Sequence, residues 1–442
     1  MEKWSYLKEF TNYTFLSVLG TLGVSCYILA DTFFISKGLG ANGLTALNLA
    51  IPVYNFIYGT GLMLGMGAAT RFSVCKSQGR QDEINRLYSN TIFISLIFSV
   101  IYMLLGVFFS KDIASLLGAD TSVLELTNTY LYWLMLFAPA FILNNVFLCF
   151  VRNDGSPHLA MAAMLIGSFS NIILDYVFIF PMNMGIFGAI FATGPFANHQ
   201  YFDHASSLDQ KENTFHFIWT SLRFYIFKQD VALGFPSLVS QVSGGIVMIV
   251  FNMIILGLAG NTGVAAYGVV ANISLVIIAI YTGIGQGIQP LVSTFYGKGE
   301  KYMARKMLNY AMITMLILSF VIYTCIYLFA DPITSVFNSE NNMALQEIAV
   351  TGLKIYFIAS PFIGYNIILS TFFTSVERAI PAYVLSLLRG FILIIPFAFL
   401  LSALWSMTGV WMTYPVAEFL TTVIGVILYE RIKRKEIVHL EN

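Results

Sequence analysis

Ionisable side chains inside long apolar stretches are the residues of this sequence best suited to chemistry. Asp31 lies in YILADTFFISKG, and Asp175 lies in SNIILDYVFIF, four residues after Asn171. Residues four apart share one helical face, so Asn171 and Asp175 can meet one ligand. An ionisable group at membrane depth is costly and by default marks an ion or proton path. The structural alternative is a carboxylate capped by a polar neighbour.

The ligand types point to a small cation. Carboxylates, an amide and a hydroxyl suit a hard cation such as Na⁺, or a proton, and Thr193 in the sixth apolar stretch can supply the hydroxyl. Glu418 is the one comparable carboxylate of the second half, which carries Phe251 at the repeat position of Asp31. We therefore expect ion coupling to reside in the first half. The expected ligands of the coupling cation are Asp31, Asn171, Asp175 and Thr193, with no other cofactor.

The composition places these residues in a lipid bilayer. Of 442 residues, 57% are hydrophobic and only 10% are charged, against about 25% charged residues in soluble domains. This excludes a soluble enzyme, and a net charge of +0 lacks the basic excess of a nucleic-acid binder.

Stretches without Asp, Glu, Lys or Arg mark the membrane-spanning helices, because one crossing needs roughly 20 apolar residues. They predict nine clear spans: 10–30, 38–70, 87–110, 126–151, 155–174, two within 231–299 separated by the turn LAGNTG, 307–330 and 355–376. Two more, near 381–402 and 406–429, are interrupted by Arg389 and Glu418 and bring the count to eleven. A twelfth span begins at Gly185 but turns polar in GPFANHQYFDHASSLDQKENT.

Basic residues favour the even count. With twelve spans, most of the 23 basic residues fall in the termini and in alternate connections. Those connections are 71–86, the loop at 152, 211–228, 298–306 and the loop at 378. The positive-inside rule then predicts a multi-pass plasma-membrane protein with both termini cytoplasmic.

The sequence repeats itself with an offset of 220 residues, as from Gly40 to Gly260. The same offset aligns Gly43 with Gly263, Ala46 with Ala266, Gly65 to Gly67 with Gly285 to Gly287, Gly79 with Gly299, and 113–120 with 333–340. Each half holds six spans, so the halves share one orientation about an axis along the membrane normal. We predict two six-helix bundles, 1–215 and 216–442.

The repeat makes the sixth span anomalous, because polar residues 195–209 align with the apolar stretch 415–429. Either an acquired segment or a local reading-frame slip explains this, and we expect an irregular sixth span. The only cluster with metal-ligand side chains lies here: His199, Asp203, His204 and Asp209. Its spacing is a weak signal, and we do not expect a metal site.

Uncharged polar residues in the seventh and eighth spans are candidates for a substrate cavity. They are Gln241, Asn252, Asn272 and Gln286. Hydrogen bonding between helices is the alternative explanation for them.

Several motifs together resemble one transporter family. ADTFFISKGLGANGLTALNLAIP, VRNDGSP, NIILDYVFIF, MGIFGAIFAT and GFPSLVSQVSGGIV are similar, in this order, to segments of the multidrug and toxic compound extrusion (MATE) transporters, in particular their bacterial drug-efflux branch. The resemblance covers the whole chain except 195–212.

The resemblance implies two six-helix bundles around a V-shaped cavity, and export of cationic, amphipathic compounds by antiport against Na⁺ or H⁺. It also implies a cation site at positions that match Asp31, Asn171, Asp175 and Thr193. Many relatives carry a proline in the first span, whereas 10–36 contains none. A proline-bend mechanism is therefore not expected here.

Three classes of function were weighed. The leading hypothesis is a cation-coupled multidrug antiporter, acting as a monomer on small cationic drug-like compounds. A flippase for lipid-linked saccharides or other amphiphiles is the alternative, which would favour a basic cavity, whereas only Arg389 lies plainly inside a span. A membrane-embedded enzyme would need a nucleophile or metal constellation, and we expect no enzymatic activity.

Overall fold

The computed structural model describes residues 2–196, 214–338 and 341–441, and this part of the chain is helical. Seven of its continuous helices are long and apolar enough to cross a membrane, and the bent pair Leu124–Leu136 and Ala138–Asn153 adds an eighth. Three of the seven far exceed the roughly 20 residues of one crossing, and each contains a backbone break. With the short helix that begins at Gly185, the described residues form twelve spans.

The spans confirm the predicted twelve-helix membrane fold. In the first half, spans 1 and 2 lie in Glu2–Ser77, span 3 in Gln81–Leu116, span 4 in Leu124–Leu136 and Ala138–Asn153, span 5 in Pro157–Ile179, and span 6 in Gly185–Phe191 with the π-helical turn Ala192–Phe196. In the second half, spans 7 and 8 lie in Phe224–Gly297, span 9 in Lys301–Phe337, span 10 in Met343–Tyr356, Phe357–Ala359 and Ser360–Ser375, span 11 in Ala379–Leu387, Leu388–Ile392 and the first arm of Ile394–Glu441, and span 12 in its second arm.

The backbone breaks follow the internal repeat. Gly40, between spans 1 and 2, has φ 67° and ψ −159°, and Gly260, between spans 7 and 8, has φ 61° and ψ −157°. This left-handed φ favours glycine, which has no Cβ. Span 1 has no break before Gly40. Span 4, predicted over 126–151, consists of two helices with a bend of 48° at Phe137. Pro139 in the next turn has no N–H to continue the helix ladder.

Span 6 is irregular, as expected. Its apolar helix ends in the π-helical turn Ala192–Phe196, and 197–213 lie outside the described residues. The predicted cluster of His199, Asp203, His204 and Asp209 falls in that gap. After the gap, residues 214–223 are irregular and run along span 3. There, backbone N–H groups of residues 216, 218 and 223 donate to the side chains of Asn85, Ser89 and Asn90.

The buried apolar side chains form two large clusters, one mainly in each half. Each cluster also includes a residue from the beginning of one helix of the other half. Phe10 of span 1 belongs to the second-half cluster, and Ile226 of span 7 belongs to the first-half cluster. The two bundles are therefore tied together at the beginnings of spans 1 and 7. A domain boundary near residue 215 stays a prediction.

The halves meet along one side of the molecule. We call the side with the chain ends and the turns at Gly79, Gly155 and Gly299 the terminal face, and the side with the breaks at Gly40 and Gly260 the far face. A Cβ on Gly287 of span 8 would lie 2.6 Å from Thr14 Cα in span 1, and Thr21 donates to the Ala279 carbonyl at 2.9 Å. These contacts lie in the terminal-face half of the helices.

A buried polar network reinforces the same side. The Asn153 amide donates to Gln289 Oε1 at 2.8 Å, and the Gln289 amide donates to Thr70 at 3.3 Å. Asn153 also accepts from the Ser73 hydroxyl at 2.6 Å. Because Gln289 belongs to span 8 and its partners belong to spans 2 and 4, this network joins the two halves. The terminal face is closed in this conformation.

Candidate functional site

The four predicted cation ligands lie in the core of the first half. Asp175 is fully buried, Asn171 is 2% exposed, and Asp31 and Thr193 are each 7% exposed. Three spans contribute: span 1 carries Asp31, span 5 carries the pair four residues apart, and the π-helical turn of span 6 carries Thr193.

Asn171 joins span 5 to span 6. With its amide oriented to satisfy both neighbours, the nitrogen donates to Asp175 Oδ2 at 3.0 Å. Its carbonyl oxygen accepts from the Thr193 backbone N–H at 3.2 Å and from the Thr193 hydroxyl at 3.0 Å. The i, i+4 spacing seen in the sequence therefore produces a direct contact, and the hydroxyl arrives from a different helix.

Close packing of spans 1 and 5 sets the level of Asp31. These helices run in the same direction and touch through glycines of span 1. A Cβ on Gly20 would lie 2.8 Å from Met164 Sδ, one on Gly23 2.7 Å from Leu165 Cδ2, and one on Gly38 2.3 Å from Ile179 Cγ2. In this register, Asp31 lies opposite Asp175. The negative charge of Asp31 accordingly acts on the Asp175 carboxylate.

Each carboxylate retains one oxygen without a partner. Among the described residues, neither Asp31 Oδ1 nor Asp175 Oδ1 accepts a hydrogen bond, although both atoms are buried. Neighbouring buried carboxylates repel each other when both are ionised, and a bound proton or cation removes that cost. The arrangement can therefore bind a small cation, with Asn171 and Thr193 as further oxygen ligands.

An open cavity adjoins this cluster within the first half. Asn171 and Thr193 line it together with tyrosines of spans 1 and 2. The hydroxyls of Tyr27 and Tyr54 are 3.0 Å apart, and the rings of Tyr54 and Tyr58 stack with centroids 5.7 Å apart. Aromatic faces attract organic cations. The cavity thus offers an aromatic wall beside the acidic cluster.

The second half has a different centre at the corresponding depth. Glu418 Oε1 accepts from Arg389 at 2.9 and 3.1 Å, and Oε2 accepts from the Asn366 amide at 2.6 Å. Phe251, the repeat partner of Asp31, is buried between the rings of Tyr267 and Tyr414. Glu418 is therefore fully paired, whereas the first-half carboxylates are not.

The predicted cavity residues of spans 7 and 8 occupy half-buried positions. Gln241 lies where the halves cross, because a Cβ on Gly59 would be 3.1 Å from its Cβ. Gln286 Oε1 is buried without a partner in the described part of the chain. No side-chain hydrogen bond is found for Gln241, Asn252 or Asn272 in that part either. Their role in a substrate cavity stays a prediction.

Two buried charges were missed by sequence reasoning. Asp230 in span 7 is fully buried, and Arg152 at the end of span 4 is 3% exposed. Both lie just outside the charge-free stretches that predict the spans. The helices continue past those stretches, so these charged residues are buried within the bundle. The tyrosines of the cavity were also missed, because aromatic residues are frequent throughout the chain and carry no positional signal.

Comparison with known proteins identifies the class. The MatE family model matches residues 17–177 and 236–400, one segment in each half of the repeat. The chain therefore belongs to the MATE family, as the motifs predicted, and it is a multi-pass membrane transporter and not an enzyme. The chain is 25% identical over 426 residues to the multidrug export protein MepA of Staphylococcus saprophyticus, covering 94% of this chain and 92% of the relative.

Further relatives agree with the fold. MepA of Staphylococcus aureus strain MRSA252 is 24% identical over 429 residues, covering 97% of this chain and 94% of the relative. A crystal structure of a mutant of the Vibrio cholerae MATE transporter VcmN superposes with a TM-score of 0.90 at 21% identity, covering 98% of each chain. A MATE transporter in an outward-facing conformation gives a TM-score of 0.89 at 22% identity, covering 98% of this chain and 96% of the other.

Proposed function

We propose that this protein exports cationic, amphipathic compounds across the plasma membrane in exchange for Na⁺ or H⁺. The observation that carries the proposal is the pair Asp31 and Asp175. Two carboxylates lie at one level in the core of a membrane transporter, and each has a buried oxygen that lacks a partner among the described residues. An intramembrane acidic pair of this kind calls for a positive ligand.

Competition for the pair would couple the two fluxes. A cation bound between Asp31 and Asp175 neutralises the charge that attracts an organic cation into the neighbouring cavity. Asn171 and Thr193 contribute both to the acidic cluster and to the cavity wall. A cation bound in the cluster therefore changes the affinity of the cavity for the organic cation. Coupling requires such differential binding. Ion entry would therefore lower the affinity for the drug and release it.

The conformation supports release on the far side. The terminal face is closed by the contacts of Gly287 and Gln289. The positive-inside rule assigns this face, with both termini, to the cytoplasm. In this proposal the protein acts as a monomer, and this conformation is the outward-open state, in which a drug leaves and a cation enters from outside. The name of the MepA relatives, multidrug export protein, supports the same direction.

The flippase alternative gains no support from the charges. A pyrophosphate-bearing lipid would need free basic groups in the cavity, and the guanidinium of Arg389 is already bound by Glu418.

Efflux from vesicles tests the proposal. Asp175→Asn removes the charge but keeps the shape, and it should abolish ethidium transport driven by a Na⁺ or pH gradient. Asp112→Asn, at an exposed position in span 3, is the matched control and should transport like the unaltered chain. Full gradient-driven transport by Asp175→Asn would refute the role of the pair. Transport of a lipid-linked saccharide with no response to ethidium would favour the flippase.

A further inference from the structure

A further buried carboxylate, that of Asp230, lies where span 2 crosses span 7, in the terminal-face half of the molecule. The two helices run antiparallel and approach backbone to backbone. A Cβ on Gly67 would lie 1.9 Å from the Asp230 carbonyl oxygen, and one on Gly234 would lie 1.7 Å from the Met63 carbonyl oxygen. Asp230 is thus held at a close backbone approach between a first-half helix and a second-half helix.

The Asp230 carboxylate has few partners. Its Oδ2 accepts from the Thr91 hydroxyl of span 3 at 3.2 Å, and its Oδ1 is buried with no partner among the described residues. Arg71 follows Gly67 by one helical turn, and its positive charge acts on the carboxylate. The Arg71 guanidinium nevertheless lies over the ring of Tyr225, 5.8 Å from the centroid, and Nη1 has no hydrogen-bond partner within the described part of the chain.

The groups around Asp230 select the ligand. Span 2 presents Arg71 and span 3 presents Thr91. Tyr383 of span 11 meets span 7 at the Ala232 carbonyl and at the ring of Phe235. One carboxylate and one hydroxyl provide too few oxygen ligands for a metal cation. Ca²⁺, for example, prefers six or more. The charge of Arg71 would also repel such a cation. A proton needs a single acceptor, and Oδ1 provides it.

We propose that Asp230 is a second proton-binding site, separate from the coupling pair, and that its protonated form holds the terminal face closed. An ionised carboxylate without full hydrogen bonding is costly in this buried position, whereas its neutral form is not. When spans 2 and 7 separate, water reaches Asp230 and the ionised form becomes stable. Acidity on the terminal side therefore favours the closed terminal face, and this preference is lost as the pH rises.

The site exchanges protons with one side only. In the closed state Asp230 is shielded from both faces by the crossing of spans 2 and 7, and opening of the terminal face exposes it to that side. The site therefore transports no net proton. It makes the conformational equilibrium respond to the pH of the terminal compartment. This inference stands apart from the proposed antiport, because it involves none of the four predicted cation ligands.

The test is the distance between spin labels on the terminal face as a function of pH. Labels at Asp82→Cys and Tyr302→Cys occupy exposed positions in opposite halves, after replacement of the four native cysteines. The background carries Asp31→Asn and Asp175→Asn, so that the coupling pair cannot contribute. We expect the short, closed distance at acidic pH and a growing long-distance fraction at alkaline pH. Asp230→Asn should show the closed distance at every pH.

Each other outcome overturns the proposal. A closed state that Asp230→Asn opens at all pH values would show that Asp230 acts as an ionised partner of Arg71. An unchanged pH response in Asp230→Asn, or no pH response in the background chain, would exclude a proton site there. If Asp230→Asn does not fold, Asp230→Glu and Thr91→Val replace it. Glu should retain a pH response, and removal of the Thr91 hydroxyl, which contacts the carboxylate directly, should shift its midpoint.

Discussion

At the scale of single residues, Asn171 links the carboxylate of Asp175 to the hydroxyl of Thr193 in the first half. Its amide bonds Asp175 on one side and Thr193 on the other, so it fixes the orientation of a carboxylate oxygen and of a hydroxyl at once. Each carboxylate then keeps one oxygen, Oδ1, for a ligand. Sequence spacing could predict the contact between Asn171 and Asp175. It could not predict the π-helical turn that carries Thr193.

Replacement of Thr193 tests its part in the cation site. Thr193→Val removes the hydroxyl that donates to Asn171 and keeps the volume, so the Asn171 carbonyl retains only the Thr193 backbone N–H as a donor. The loss of about 1 kcal/mol for one hydrogen bond corresponds to a rise of about fivefold in the coupling-ion concentration for half-maximal transport. Thr193→Ser retains the hydroxyl and should behave like the unaltered chain. Equal ion dependence in both variants would contradict this role.

The ion pair of the second half is expected to be structural. Glu418→Gln leaves the buried guanidinium of Arg389 without its counter-charge, which should destabilise the protein by about 3 kcal/mol. Thermal unfolding in detergent measures this. The double variant Glu418→Gln with Arg389→Gln removes both charges and should recover much of the loss. Loss of ion-coupled transport at unchanged unfolding temperature would instead place Glu418 in the coupling mechanism.

At the scale of elements, glycines determine how near the helices come. Gly20, Gly23 and Gly38 let span 1 approach span 5 until Asp31 faces Asp175. The lengths of the apolar stretches and the distribution of basic residues predicted the number of spans, because bilayer thickness and the positive-inside rule constrain every membrane protein. They could not predict the bend at Phe137 or the burial of Asp230. The bend and the burial depend on which helices pack against spans 4 and 7. The sequence of one helix does not specify its neighbours.

A methyl group at Gly38 should separate spans 1 and 5. Its Cβ would lie 2.3 Å from Ile179 Cγ2, and overpacking of this kind costs about 1–3 kcal/mol. Gly38→Ala should lower the unfolding temperature and weaken the ion dependence of transport together. Gly244→Ala, where a Cβ meets nothing within 4 Å, is the matched control and should do neither. Similar behaviour of the two variants would contradict the packing argument.

At the scale of the whole molecule, the two halves repeat one backbone with different chemistry. The breaks at Gly40 and Gly260 have nearly the same dihedral angles. The first half holds an unpaired acidic pair, whereas the second holds a closed ion pair at Glu418 and Arg389. The repeat therefore supplies two bundles that move against each other, and only one carries the proposed ion site. The constant offset of 220 residues predicted the repeat. The presence of Phe251 at the repeat position of Asp31 indicated that the two halves differ in chemistry.

The central claim is that drug and ion compete for Asp31 and Asp175. Its most direct test adds tetraphenylphosphonium to the purified protein in detergent and records the release of bound protons or radioactive Na⁺. We expect the organic cation to displace one of these ions from the unaltered chain and neither of them from Asp175→Asn. Binding of the organic cation without release of either ion, or equal release from both proteins, would contradict the account.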